Sequence, residues 1–292
     1  MTDIPAELYA LINAFLFALH NLFIKKALRY SNPATAVISS LLINIVFLWA
    51  MAVLLVPMAN VTWASVLIFV GVGFFQPGLT RLLTYKGIDA LGVAITDPIR
   101  ASTPLFSAIM AIIFLGEDIT LPIVAATFMI ISGIVLLSWR GGSMRLLGSA
   151  IYLWYPIGAS ALAGASQVVR KFGLAAVPHP FLAAAVTASS SLVVSVLTMW
   201  YVEKTQETWK MNRQCFGWFL SAGITVSFAM ICIYYALDLG KVSVVIPISS
   251  TGPLFSLILT AIFLRDVERV TLRVVVSAAM IVGGVLRISW WK

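Results

Sequence analysis

Apolar residues run along this chain in stretches of close to the about 20 residues a helix needs to cross a hydrocarbon core, and short clusters of charge, Pro or Gly separate the stretches. The pattern predicts an all-α integral membrane protein with ten transmembrane helices. They fall at about residues 8 to 24, 34 to 56, 63 to 84, 91 to 115, 120 to 139, 148 to 169, 180 to 202, 216 to 236, 242 to 264 and 272 to 291. The first stretch follows the acidic Asp3 and Glu7 and lacks a small-residue cleavage site before Lys25 and Lys26, which marks a retained helix rather than a signal peptide. The longest polar segment, about residues 203 to 215, is too short to fold alone, so function is expected inside the membrane or at its faces.

The pattern occurs twice. Residues 98 to 115 read PIRASTPLFSAIMAIIFL and residues 247 to 264 read PISSTGPLFSLILTAIFL, identical at 10 of 18 aligned positions. The correspondence extends to Lys26 with Lys171, Pro33 with Pro178, Tyr85 with Tyr234, Asp89 with Asp238 and Trp139 with Trp290. Two copies, 1 to 145 and 146 to 292, therefore hold five helices each. An odd number per copy makes the second enter the bilayer from the opposite face, giving inverted-topology repeats. Two such halves can exchange conformations and turn a cavity from one side of the membrane to the other, which is alternating access.

Composition agrees with the membrane reading: 61% of residues are hydrophobic and 10% charged, against about 25% charged in soluble domains. The net charge of +8 is first a topology signal. Of 16 Lys and Arg at helix ends or in loops, 12 follow odd-numbered helices and 4 lie on the opposite side. Setting aside the equivalent pairs Lys25-Lys26 and Arg170-Lys171, the contrast is 10 against 2. The odd-numbered loops are expected in the cytoplasm and both termini outside it, in a multi-pass protein of the cell inner membrane. No basic stripe with interleaved aromatics favours nucleic acid. Cys215 and Cys232 stand about 25 Å apart along one helix, beyond disulfide reach.

The proline-bearing fourth helix ends in Phe114-Leu115-Gly116-Glu117 followed by Thr120, and is echoed at Phe263-Leu264-Arg265-Asp266. With the five-helix unit, these residues resemble the EamA family of the drug/metabolite transporter superfamily, over essentially the whole chain as two units. The resemblance implies ten helices, a central cavity and movement of small organic solutes, often amino acids or other metabolites.

Positions shared by both copies should serve the scaffold, whereas polar membrane positions found in one copy are better candidates for solute contact. The prolines are shared: Pro98 and Pro104 match Pro247 and Pro253. Each removes an amide donor and frees a carbonyl that lipid cannot satisfy, so bent helices at a wet or protein-lined centre are expected. Asp97 and Arg100 are not shared, their counterparts being Ile246 and Ser249. Arg100 lies about 13 Å along its helix, near the middle of a core about 30 Å thick, where an unpaired charge costs on the order of 3 kcal/mol. The pair reads either as a buried structural salt bridge or as a solute site. His20, Asn21, Gln76 and Arg81 are also unmatched. Arg81 is placed in the last turn of its helix, able to snorkel, and His20 reads as a packed, hydrogen-bonded residue or a cavity residue. Tyr85 and Tyr234, Trp139, Trp290 and Trp291 read as interface anchors, and Ser132-Gly133, Gly283-Gly284 and Gly71-Val72-Gly73 as close helix contacts.

No enzyme motif, metal-ligand spacing or nucleotide-binding loop is present, so no cofactor is expected and transport has to run on an ion gradient, on exchange or on the solute gradient. Three readings remain: a secondary transporter for a small polar organic metabolite, amino acid or organic acid like; a lipid-linked flippase with a lateral portal; and a non-transporting scaffold. The expected partners are a small-molecule solute and the lipid bilayer, with the chain a monomer or homodimer. In the mechanism expected, the acidic group of the solute competes with Asp97 for Arg100, and a proton taken up on Asp97 relieves the repulsion between the two carboxylates. Replacing Arg100 would then abolish solute binding.

Overall fold

The structure is a computed structural model that describes residues 4–56, 63–138, 150–177, 179–201, 209–263 and 272–290. Regular structure among these residues is entirely helical. Among the described residues, eight segments are long and apolar enough to cross a membrane. Side chains such as Val46, Leu54, Leu67, Trp200 and Leu286 are exposed along them, the surface expected against lipid rather than water.

In the first half, α1 (Ala6–Ala27) and α2 (Pro33–Leu55) are unbroken. Asn32 starts α2 by accepting the Thr35 N–H on Oδ1 at 2.9 Å, with Pro33 at the first helical position, where its missing N–H goes unmissed. The expected third helix is two: α3 (Trp63–Gly73) and α4 (Thr80–Leu91), joined through a wide turn at Phe74–Leu79. Gln76, just before Pro77, leaves helical geometry there, with φ -136° and ψ 118°. Arg81 therefore sits in the first turn of α4, not in the last turn of a span. The fourth helix also divides, into α5 (Val93–Arg100) and α6 (Thr103–Leu115), and α7 (Leu121–Ser138) follows.

The second half holds α8 (Trp154–Ala176), α9 (Pro180–Tyr201), α10 (Arg213–Leu239), α11 (Val242–Ser249), α12 (Gly252–Phe263) and α13 (Leu272–Trp290). The break between α11 and α12 matches that between α5 and α6, as the shared prolines imply. The kink at Gln76-Pro77 has no counterpart, since α10 runs straight through the equivalent Thr225 and Val226. Helix α8 continues past the expected end at residue 169, so Arg170 and Lys171, read as loop residues from sequence, lie inside it. The free thiols Cys215 and Cys232 both lie on α10, and Cys215 serves its start by accepting the Asn212 N–H at 3.1 Å.

Small residues decide the closest helix contacts. A Cβ on Gly133 would stand 2.8 Å from Ile281 Cγ1 and 3.0 Å from the Ser277 carbonyl, and one on Gly284 would stand 2.6 Å from Ile130 Cγ1, so α7 and α13 pair backbone to backbone. Gly73 likewise meets Ser190 and Thr187 on α9, but Gly71 has open space around it and makes no close contact. A Cβ on Gly164 would stand 2.6 Å from the Ser107 N, which presses α8 against α6.

One end of the bundle is tied by Ser31 donating to the Lys210 carbonyl at 2.7 Å and by Lys26 lying over the rings of Trp218 and Phe263. At the other end Lys171 Nζ donates to the Leu237 carbonyl at 2.9 Å and to that of Gly240, closing the C-terminus of α10. Gly116, at φ 63°, turns the chain after α6 so that Glu117 reaches the start of α11. The main apolar core belongs to this end, where Ala183, Ala184, Tyr234, Leu237, Val242 and Val245 are all fully buried. Leu264, Arg265, Asp266, Trp139, Trp291 and Pro178 lie outside the described residues. Trp290 is exposed at the end of α13, as an interface anchor requires.

Candidate functional site

A cavity of about 1790 Å³ occupies the centre of the bundle. Lys25 and Leu137 line one end of it and Gln167, Arg170 and Thr187 the other, beyond which the packed core begins. Asn21 and Lys25 are exposed at the first end, whereas Gln167, Arg170 and Thr187 are buried at the second, so the cavity meets the surface toward Lys26 and is floored toward Glu117.

All seven sequence-predicted solute residues line this cavity: His20, Asn21, Gln76, Arg81, Asp97, Arg100 and Ser249. Two of the four helix-breaking prolines, Pro104 and Pro253, also line it. Pro98 and Pro247 do not; they sit within α5 and α11, half-buried and buried, and their effect is on the helix course. Each break lies just after these prolines, at residues 101–102 and 250–251, and hydroxyls there donate to carbonyls of the preceding turn, Ser102 to Ile99, Thr103 to Arg100, Ser250 to Ile246 and Thr251 to Ile248, so those carbonyls are not left to lipid.

The charges at the α5 break are not sealed in protein. Asp97 and Arg100 are both open to the cavity, and the Asp97 carboxylate and Tyr85 act electrostatically on Arg100. Arg81 Nε donates to Tyr85 Oη at 2.8 Å, with the guanidinium 5.2 Å from the ring centre. Tyr85 thus belongs to the charged cluster formed by α4 and α5, which sequence reading had treated as an interface anchor. His20 donates from Nδ1 to the Ala222 carbonyl at 2.9 Å, which leaves Nε2 as the acceptor of the neutral ring. Both readings of His20 hold together: it is packed and hydrogen-bonded, and it lines the cavity.

The floor carries residues that sequence reasoning missed. Gln167 Nε2 donates to Gln76 Oε1 at 3.1 Å, tying α8 to the kink in the third span, and Arg170 Nη1 donates to Gln167 Oε1 at 3.1 Å. The Arg170 guanidinium lies 5.4 Å from the ring centre of Tyr234, whose hydroxyl is 2.6 Å from Thr187 Oγ1. Tyr234 is wholly buried, so it is no interface anchor; it supports the floor. A signal for Arg170 did exist. Ala159, Ala163, Gln167, Arg170 and Leu174 recur at three- and four-residue spacing along α8, the stripe that turns inward, so a cation on it points away from lipid.

Several polar atoms around the cavity are buried without a hydrogen-bond partner among the described residues: Arg170 Nε, Arg273 Nε, Ser195 Oγ and Ser249 Oγ. In charge the lining is one-sided. Lys25, Arg81, Arg100, Arg170 and Arg273 face a single carboxylate, Asp97, a formal balance of five against one among the described lining residues.

Comparison with known proteins gives the fold and the family. A solved crystal structure of a protein matches with a TM-score of 0.78 at 16% identity, covering 98% of this chain and 96% of its own. An uncharacterized protein of Methanocaldococcus jannaschii is 34% identical over 68 residues, 23% of this chain, and the match spans about half, 48%, of that relative's length. The model of the EamA-like transporter family matches residues 4–139 and again 150–290, one unit in each half. With two such units filling nearly its whole length, the chain belongs to the EamA-like transporter family, as a multi-pass membrane protein.

Proposed function

We propose that this protein is a secondary transporter that moves a small polar organic solute, amino acid or organic acid like, across the cell inner membrane by alternating access. The observation that carries this reading is the central cavity, open at one end of the bundle and floored at the other, with the asymmetric Asp97 and Arg100 at a helix break on its wall. Ten spanning segments, five in each of the halves 1 to 145 and 146 to 292 with inverted topology, complete the proposal. Two helices beyond the eight long apolar ones supply the count: the shorter apolar α7 and the more polar α8, whose inward face needs no lipid-compatible surface.

In operation, the acidic group of the solute engages the Arg100 guanidinium through a bidentate contact and displaces Asp97 from it. Two carboxylates then share a poorly solvated space, and a proton taken up on Asp97 removes their repulsion, which couples transport to protons. Closing the open end and parting the packed core at the Glu117 end would release the load on the other side. The test is uptake of a metabolite panel into proteoliposomes with and without a proton gradient, preceded by a screen for solutes that raise the unfolding temperature. Failure of every acidic and zwitterionic solute to accumulate would sink the proposal.

A further inference from the structure

We propose that Arg170 is the centre of an oxyanion subsite at the floor of the cavity, distinct from the Arg100 station and built to hold a carboxylate or phosphate group of the solute. This rests on the transporter reading and adds a second, deeper place where the load stops.

Arg170 is 8% exposed, yet it lines the cavity. A guanidinium carries five N–H donors and no acceptor, and cannot shed its charge in a protein. One donor goes to Gln167 Oε1, another group meets Tyr234, and Nε has no partner among the described residues. Gln167 and Tyr234 are both neutral. Thr187 Oγ1 also reaches the Phe69 carbonyl at 3.4 Å, so its hydroxyl proton points there and Tyr234 donates to Thr187, leaving the Tyr234 oxygen to accept from Arg170. These groups orient the guanidinium without neutralising it.

Two carboxylates at this end of the bundle, Glu117 and Asp238, are engaged elsewhere. Glu117 accepts from Val242 and Ser243, while Asp238 and Glu117 both act on Lys171. A buried cation held in a fixed orientation by neutral groups, with a donor left over and a cavity beside it, is complementary to an anion that comes and goes. Gln76 adds to the subsite. Its amide oxygen accepts from Gln167, so its NH2 is the donor end of the chain from Arg170. Because Gln76 stands at the kink of the third span, an anion held there also bears on the one break that the second half lacks.

Separation makes this a second station. Ser160 Oγ on α8 donates to the Ile99 carbonyl beside Arg100 at 3.2 Å, and Arg170 lies ten residues further along the same helix. At 1.5 Å per residue that is about 15 Å of rise along α8, which sets Arg170 deeper in the cavity than the Arg100 station. An entering anion meets the cations nearer the mouth and then the Arg170 floor.

The experiment uses the full chain in detergent micelles, with succinate, inorganic phosphate and the uncharged succinamide as probes and the unfolding temperature against probe concentration as readout. Succinate or phosphate should stabilise the protein and succinamide should not. Arg170→Gln should raise the half-saturating anion concentration at least tenfold, Arg170→Lys less, and Gln167→Ala several-fold. Arg100→Gln should leave a saturable anion response. The subsite is overturned if Arg170→Gln and Gln167→Ala lower the unliganded unfolding temperature but keep the wild-type half-saturating concentration, the behaviour of a purely structural residue. It is equally overturned if wild type shows no anion response, or if Arg100→Gln alone abolishes it. Anion binding without uptake of any solute would reject the transporter reading and leave the subsite standing; normal uptake with an unchanged anion response in Arg170→Gln would do the reverse.

Discussion

Glu117 clamps the second half of the chain from the end of the first: its Oε2 accepts from the Ser243 N–H at 3.0 Å and from the Ser243 hydroxyl at 2.7 Å, while Oε1 accepts from the Val242 N–H at 2.7 Å. Two orphan amides of α11 and the positive end of its dipole meet a full negative charge. The Gly116-Glu117 pair that carried the family resemblance therefore has a structural task, fixing the start of the broken pair α11 and α12. Glu117→Ala should lower stability by about 2 kcal/mol, and Glu117→Gln by less, since the amide keeps one acceptor oxygen. Thermal unfolding of the purified variants checks this; an unchanged unfolding temperature in Glu117→Ala would show the clamp to be idle.

Replacement of the α5 charges should separate binding from coupling. Arg100→Ala is expected to abolish pH-dependent uptake, and Asp97→Asn to retain uptake while losing its response to a proton gradient. The sign follows from the cycle: solute binding brings a proton onto Asp97, so acidification on the loading side strengthens binding in wild type, and the amide, which mimics the protonated acid, binds with an affinity independent of pH. Full pH-dependent transport by both variants would reduce the pair to a structural contact.

The distribution of basic residues, 10 against 2, predicts that the odd-numbered loops lie in the cytoplasm and both termini outside. The open cavity, which reaches Lys25, would then face the cytoplasm. A reporter fused after Lys292 that is active only in the cytoplasm would reverse this assignment and with it the side to which the cavity opens.

The pairing of α7 with α13 should tolerate no bulk at its centre. Gly284→Leu brings a Cβ to 2.6 Å from Ile130 Cγ1 and 2.9 Å from the Ala126 carbonyl, where backbone has to move, and is expected to cost about 1–3 kcal/mol. Gly217→Ala, at a position with open space around it, should be neutral or stabilising by up to about 1 kcal/mol. Equal unfolding temperatures for the two variants would contradict close packing at Gly284.

The sequence by itself determined the membrane class, the duplication, the helix breaks near Pro98 and Pro247, and seven of the polar residues that line the cavity. All of these are local or periodic signals: apolar runs of bilayer length, identity at a fixed offset, a ring that removes an amide donor, and charge that lipid will not accept. Reading by asymmetry between the copies picked out Asp97 and Arg100, which line the cavity, because a feature absent from one half owes nothing to the shared scaffold.

Tertiary structure alone decided the floor. Arg170 looked like the basic end of a helix because Arg170-Lys171 repeats Lys25-Lys26, and only the continuation of α8 to Ala176 and its packing against α3 and α6 turned that cation inward. Tyr234 looked like an interface anchor because it is shared between copies, yet its contacts are with Thr187 and Arg170, residues 47 positions away in the first case and on another helix in the second. Helix periodicity tells which residues share a face. Which face meets lipid, core or cavity depends on how the other helices are arranged around it, and that arrangement is set by contacts distant in the chain, such as Gly164 on Ser107 and Glu117 on Ser243.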